Sequence, residues 1–247
     1  MSEAAQRQQS VLAGKNVLVF GGTSGIGLEA ALQAKDAGAQ VIVVGRTAAS
    51  AEQAAAHHGF VGWRAADVTD PNALQLAVQD IPTIDHLVLL AGTFVSGKVR
   101  DANVDYLRQA FDERIWAAVH VIRALGDRLS NDGSITFISG SLADRPNAFG
   151  TAILAAASAA MEAFARGLAL ELAPIRVNTL SPGPIDTPIL HKALGNARDS
   201  VVDRLKQTLP LRRLGTSDEA GAGVVFLMSN GFMNGATLNI DGGARLV

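Results

Sequence analysis

The run Gly21-Gly22-Thr23-Ser24-Gly25-Ile26-Gly27 holds the first residues able to do chemistry. Glycines at this density let the chain turn tightly and bring backbone N–H groups up to a pyrophosphate, and a helix opening there adds its positive end. An apolar run, 16–20, leads straight into the loop, and a helical pattern follows it. In that setting such a loop binds a dinucleotide; elsewhere it is an ordinary turn. The second apolar run ends Val44-Gly45-Arg46-Thr47. An acidic residue there would accept from a ribose 2′-OH. Gly45 offers nothing, while the Arg46 guanidinium suits a 2′-phosphate, so the sequence points to NADP(H) rather than NAD(H). The plainer account of Arg46 is a solvated cation after a strand.

Two more side chains stand out. Val104, Leu107, Phe111, Ala118 and Val121 recur at helical spacing, and Arg114 falls on their stripe. A guanidinium there needs a partner, a cavity or a way out to water. It either snorkels past the core to solvent or an interface, or it points into a site and binds an anionic or carbonyl group. His191, one helical turn after Thr187, titrates naturally in the range useful for acid–base work, although a surface position is the simpler account.

Positioning these residues falls to an alternation of short apolar runs and longer helical patterns. Strands are expected at 16–20, 41–44, 59–63, 86–90, 134–139, 176–180 and 236–240, and helices near 26–37, 48–57, 71–79, 101–128, 148–172 and 217–229. Several of the strands are apolar throughout, as strands covered on both faces are. The alternation implies an α/β fold, a Rossmann-like, doubly wound, seven-stranded parallel sheet flanked by helices, with right-handed crossovers. Ligands on such a sheet bind beyond the carboxyl ends of its strands, at the switch point.

The totals narrow the partners. A chain of 247 residues with 48% hydrophobic and 18% charged residues suits one large domain. A net charge of −2 and a pI near 6.2 argue against nucleic acid or an anionic membrane as the main partner. Cysteine is absent, and the five histidines show no ligand spacing, so disulfides are excluded and no metal site is expected. The segment MSEAAQRQQS is polar and unlike a secretory signal; residues 1–12 are expected to form a flexible tail and 13–247 the domain. The longest uncharged apolar run, around 148–161, is too short to span a membrane, and a cytoplasmic location is expected.

From Ala13 onward the chain resembles the short-chain dehydrogenase/reductase family. Ala66-Asp67-Val68 is similar to the pair that holds the adenine ring, and Ala91-Gly92 to the end of the family's motif after the fourth strand. Ile138-Ser139-Gly140-Ser141 resembles the strand bearing the catalytic serine. Val177-Asn178 and Pro182-Gly183-Pro184-Ile185-Asp186-Thr187 resemble the segment bordering the nicotinamide, with Thr187 at its carboxamide. Pro210–Gly215 and Asp241-Gly242-Gly243 match the C-terminal core. The resemblance implies a cofactor site of Gly21, Thr23, Ser24, Gly25, Ile26, Gly27, Arg46, Thr47, Asp67, Val68, Ala91, Gly92, Pro182, Gly183, Ile185 and Thr187. It also implies a small carbonyl or alcohol substrate of unknown identity, and a homodimer or homotetramer.

The departures are as informative. Phe20 stands where the family's glycine motif begins with Thr, and Leu89-Leu90 replaces a pair of Asn. In the family a Tyr protonates the carbonyl oxygen and a Lys four residues later lowers its pKa. Counting thirteen residues on from Ser141, or back from Glu171 to the Lys position, puts Leu154 and Ser158 there. The only Tyr is Tyr106, and no Lys lies between Lys98 and Lys192. Arg114 matches the family's catalytic Asn. Two readings stay open: an oxidoreductase with a site built from Ser141 and Arg114, or an NADP(H)-binding regulator or oligomer partner without activity. A third use of the old nucleotide site is less consistent with the retained glycine loop, Arg46, Asp67 and Thr187.

Overall fold

The computed structural model describes residues 11–247, and most of the expected tail lies outside them. Leu12, placed in that tail by the sequence, is buried, and its N–H bonds the Ala37 carbonyl. Leu12 therefore packs with the domain, because an apolar side chain finds cover against the end of the first helix.

Seven parallel strands run in the order β3-β2-β1-β4-β5-β6-β7. They are β1 (Asn16–Phe20), β2 (Gln40–Gly45), β3 (Gly62–Ala65), β4 (Ile84–Leu89), β5 (Leu129–Ile138), β6 (Arg176–Pro182) and β7 (Thr237–Ile240). Between them lie α1 (Gly25–Asp36), α2 (Ala48–His58), α3 (Pro71–Val78), α4 (Val104–Phe111), α5 (Ala117–Leu125), α6 (Ala152–Glu171), α7 (Pro188–Leu194), α8 (Arg198–Thr208) and α9 (Ser217–Ser229). The apolar runs earn their two-sided burial. Leu18 and Phe20 face a core shared with α3, α5 and α6, while Val17 and Val19 face another shared with α1 and α9. The order in which strands are added to the sheet reverses between β1 and β4, which opens the crevice of a doubly wound sheet.

Three local expectations change. The third strand begins at Gly62, not 59, because Gly59 ends α2 in the left-handed conformation (φ +66°). The helix expected over 101–128 starts at Val104 and is broken by a π turn at Asp112–Trp116. Val104 is 66% exposed, so it does not belong to the apolar stripe, whereas Leu107, Ala118 and Val121 are buried. The extra residue of the π turn shifts the buried face, which a constant period cannot anticipate. Helices α7 and α8 fall between 188 and 208, where the sequence reading placed no helix. Helix α6 is long and apolar enough to cross a membrane by composition, but its buried face, including Leu154, Ser158, Met161 and Ala165, packs into the core.

Candidate active site

The crevice forms where β1, β4, β5 and β6 end. A side chain at Gly21 (φ +81°) would stand 3.0 Å from the Ala91 backbone nitrogen, so only glycine lets the first loop meet the end of β4. A methyl group at Gly27 would stand 2.2 Å from the Gly21 carbonyl oxygen, closing the turn into α1. Ser24, the residue before α1, is exposed and makes no side-chain cap, leaving the helix's first N–H groups to an outside acceptor. Opposite lies Thr187: a methyl group at Gly25 would touch its Cβ at 3.6 Å. The glycine turn and the uncapped N–H groups that open α1 make a cradle suited to an anionic group such as a pyrophosphate.

Arg46 and Asp67 stand exposed on one rim, where the Arg46 charge is a minor cause of the lowered Asp67 pKa. The larger cause is Thr69, whose hydroxyl and N–H both donate to Asp67 Oδ1 at 2.7 and 2.9 Å. Thr47 Oγ1 caps α2 by accepting from Ser50 N–H. Beside them Ala66 is buried and Val68 is half-buried. At the other end, Gly183 N–H donates to the Ile240 carbonyl at 2.9 Å, and Ile185 is buried. Thr187 Oγ1 accepts from Leu190 N–H, capping α7.

Ser141 opens a short 3-10 turn just past β5, packed on α6. Its hydroxyl makes no hydrogen bond with the described residues, whereas Ser139 donates to Glu162 Oε1 at 2.7 Å and to the Ser158 carbonyl at 3.1 Å. Leu154 and Ser158 are both buried on α6. Asn178, by contrast, is spent on structure: it donates to the Met233 carbonyl and accepts from Ala236 N–H.

Arg114 is half-buried. Its Nη2 donates to the Thr93 carbonyl at 3.1 Å and its Nη1 to the Ala110 carbonyl at 3.3 Å, while buried Nε has no partner among the described residues. A methyl group at Gly92 would lie 3.6 Å from its guanidinium carbon, and Ala91, Ile138 and Met161 line the same small cavity. Burial lowers its pKa, an effect only partly offset by the neighbouring Glu113 charge. Glu113 is itself engaged with Thr93, accepting from its N–H and hydroxyl. The adjacent Glu113 and Arg114 thus grip the residue after Gly92 from one π turn.

Sequence reasoning passed over Asp186. Its carboxylate accepts from His191 Nε2 at 2.7 Å and Arg198 Nη2 at 3.0 Å, fastening α7 and α8 to the segment after β6. His191 accordingly helps to hold α7 in place here. The spacing of Asp186 and His191 carried the signal, but Arg198 could be placed only by the turn between the two helices. A broad surface concavity lies elsewhere, at edge strand β3 between α2 and α3, and Glu52 and Arg64 are its only charged residues.

A family model described as enoyl-(acyl carrier protein) reductase matches residues 21–245. The chain belongs to the short-chain dehydrogenase/reductase family. Its fold is similar to that of MalC, described as a reductase/Diels-Alderase from Malbranchea aurantiaca (TM-score 0.87, 25% identity, 98% of this chain and 100% of that one). A small-chain dehydrogenase solved in complex with NADPH superposes with a TM-score of 0.81 at 33% identity, over 95% of this chain and 100% of the other. The cyclic-di-GMP-binding biofilm dispersal mediator protein of Escherichia coli K12 is 30% identical over 93% of this chain and 96% of its own. Members of this family use nicotinamide cofactors, and the cradle at Ser24–Gly27 fits one.

Proposed function

We propose that this short-chain dehydrogenase/reductase is an NADP(H)-dependent oxidoreductase with a non-standard active site, acting on a small carbonyl or alcohol compound. The observation that carries the reading is Arg114, a half-buried cation with a fully buried, unpartnered Nε, whose bonds go only to neutral carbonyls and which lies against Gly92 at the mouth of the crevice.

When bound, the nicotinamide supplies or accepts a hydride. Gly21, Thr23, Ser24, Gly25, Ile26 and Gly27 would hold the pyrophosphate, and Arg46 with Thr47 the 2′-phosphate. Asp67, whose Oδ2 remains available, and Val68 would hold the adenine, with Ala91 and Gly92 beside the ribose. Pro182, Gly183, Ile185 and Thr187 would border the nicotinamide. In this reading Leu154 and Ser158 occupy the family's Tyr and Lys positions, so no phenol protonates the substrate. Ser141 donates a hydrogen bond to the substrate oxygen, and Arg114 stabilises charge developing there. It does not supply the proton, since a guanidinium stays protonated. Loss of a general acid costs about 10²–10⁴ in rate, a penalty that leaves catalysis measurable.

The buried Leu154 and Ser158 also favour a second reading, an inactive NADP(H)-binding regulator or oligomer partner, and the named role of the Escherichia coli relative agrees with it. One set of measurements separates them. NADPH consumption is followed over aldehydes, ketones and quinones for the unaltered protein and for Leu154→Tyr/Ser158→Lys, each confirmed to fold and bind cofactor. Turnover by the unaltered protein is expected; turnover by the double variant alone would favour the regulator. Arg46→Ala should erase most of a preference for NADPH over NADH of about tenfold or more, the worth of one charge-assisted contact. Equal affinity for both cofactors in the unaltered protein would rule out the role given to Arg46. We further propose a cytoplasmic homodimer or homotetramer, supported by the exposed apolar residues Trp116 and Leu170.

A further inference from the structure

Asp186 is anchored twice, by its backbone to the body of the fold and by its side chain to the helices that follow. Its N–H donates to the Gly215 carbonyl at 2.9 Å, and its own carbonyl accepts from Ser217 Oγ at 3.4 Å. Ile185 and Gly215 form a parallel bridge, and a methyl group at Gly215 would stand 2.4 Å from Ile185 Cδ1. The segment therefore lies hard against the start of α9. The carboxylate holds His191 on α7 and Arg198 at the start of α8. Those two donors, His191 first, keep its pKa below the ordinary carboxylate value, so it is ionised near neutrality.

The two helices have little else to keep them in place. Helix α7 buries no residue, and α8 buries only Val202. With Leu190, Leu205, Leu209, Leu214 and Ala244, Val202 forms a small apolar cluster separate from the two cores that flank the sheet. An element with so few buried contacts opens at lower cost than the sheet does. The pair also begins at the crevice. Thr187 caps α7, and a methyl group at Gly25 would lie 3.6 Å from its Cβ.

Resting on the NADP(H) reading above, we propose that Asp186 is a positioning residue for the cofactor: it docks α7 and α8 beside the crevice and thereby sets how fast bound cofactor leaves. While the carboxylate holds both helices, Thr187 stays opposite the glycine turn. When the hold is broken, α7 draws Thr187 away from Gly25 and the nicotinamide end is uncovered. Both bonds are partly exposed, so each is worth a small factor, and the one carboxylate carries both.

The test uses the full chain and needs no substrate. Asp186→Asn keeps the shape of the side chain and removes its charge. Trypsin, added without cofactor, should cut at the exposed Lys192, Arg204 and Lys206 about fivefold faster in this variant, with cleavage elsewhere and the thermal midpoint little changed. NADPH is then loaded and displaced by excess NADP+, and the decay of its bound fluorescence gives the dissociation rate. A rise of about fivefold is expected. His191→Phe and Arg198→Met should each give part of that rise, and Arg198→Met should add little on top of Asp186→Asn. These single variants carry the test if Asp186→Asn does not fold. Unchanged cleavage or unchanged dissociation in the folded variants overturns the proposal. Faster cleavage throughout the chain also overturns it, because Asp186 would then be a residue of general stability. A chain that binds neither NADPH nor NADH fails the cofactor reading itself, and the proposal falls with it.

Discussion

Single side chains in this protein divide into those turned toward a ligand and those that pay their burial cost internally. His86 is of the second kind. It is buried on β4, its Nδ1 is 2.8 Å from Ser134 Oγ, and burial, aided by the Arg176 charge, pushes its pKa down from 6.5 to about 4. The folded state therefore prefers neutral imidazole. That contribution is complete above pH 6.5, the unfolded value, and is lost as pH falls from there to about 4. Its full size is about 3 kcal/mol. Denaturant unfolding of the unaltered protein should show stability falling through this window. In His86→Leu/Ser134→Ala the fall should begin lower, where carboxylates titrate. An unchanged slope between pH 6.5 and 5 in the double variant would exclude His86 as the cause.

Among elements, the loops after β4 and β5 decide the shape of the crevice. Gly97 N–H donates to the Gly150 carbonyl at 2.8 Å, tying the two loops by one backbone bond. Gly150 has φ +79°, and a methyl group there would stand 2.8 Å from the Gly97 carbonyl carbon. Gly150→Ala should therefore part the loops and destabilise the protein by about 1–3 kcal/mol, combining strain with a backbone clash. A thermal midpoint within error of the unaltered protein would show that the loops tolerate separation. The π turn acts on the same crevice, because it presents Glu113 and Arg114 together to Thr93.

For the whole molecule, the outstanding matter is what covers α6. Its outward positions Ala152, Ala156, Ala159 and Ala163 are exposed, and Leu170 is 83% exposed; Trp116, on the π turn that packs against α6, is 54% exposed. Small side chains permit close approach of a second helix, and a second copy of this chain is the occupant that the proposed dimer supplies. Leu170→Asp should shift sedimentation toward monomer while the thermal unfolding of the isolated fold changes little. Retention of the dimer by that variant would place the interface elsewhere.

The sequence by itself determined the sheet and the phosphate loop. Apolar runs bounded by glycine have one economical burial, and Gly21, Gly25 and Gly27 stand at the end of the first of them, so β1 and the start of α1 could be read to within a residue or so. Local chemistry was enough there, because the loop works through backbone N–H groups rather than distant side chains. Arg114 was legible as an anomaly on an apolar stripe and, through the resemblance, as the counterpart of the family's catalytic Asn. Its surroundings depend on the π turn, which breaks the period, and on Gly92 and Thr93, brought to it from another strand. The grip of Asp186 on His191 and Arg198 likewise needed two helices folded back on each other. Burial and spare hydrogen-bonding capacity belong to contacts between segments far apart in the chain, and those only the tertiary structure decided.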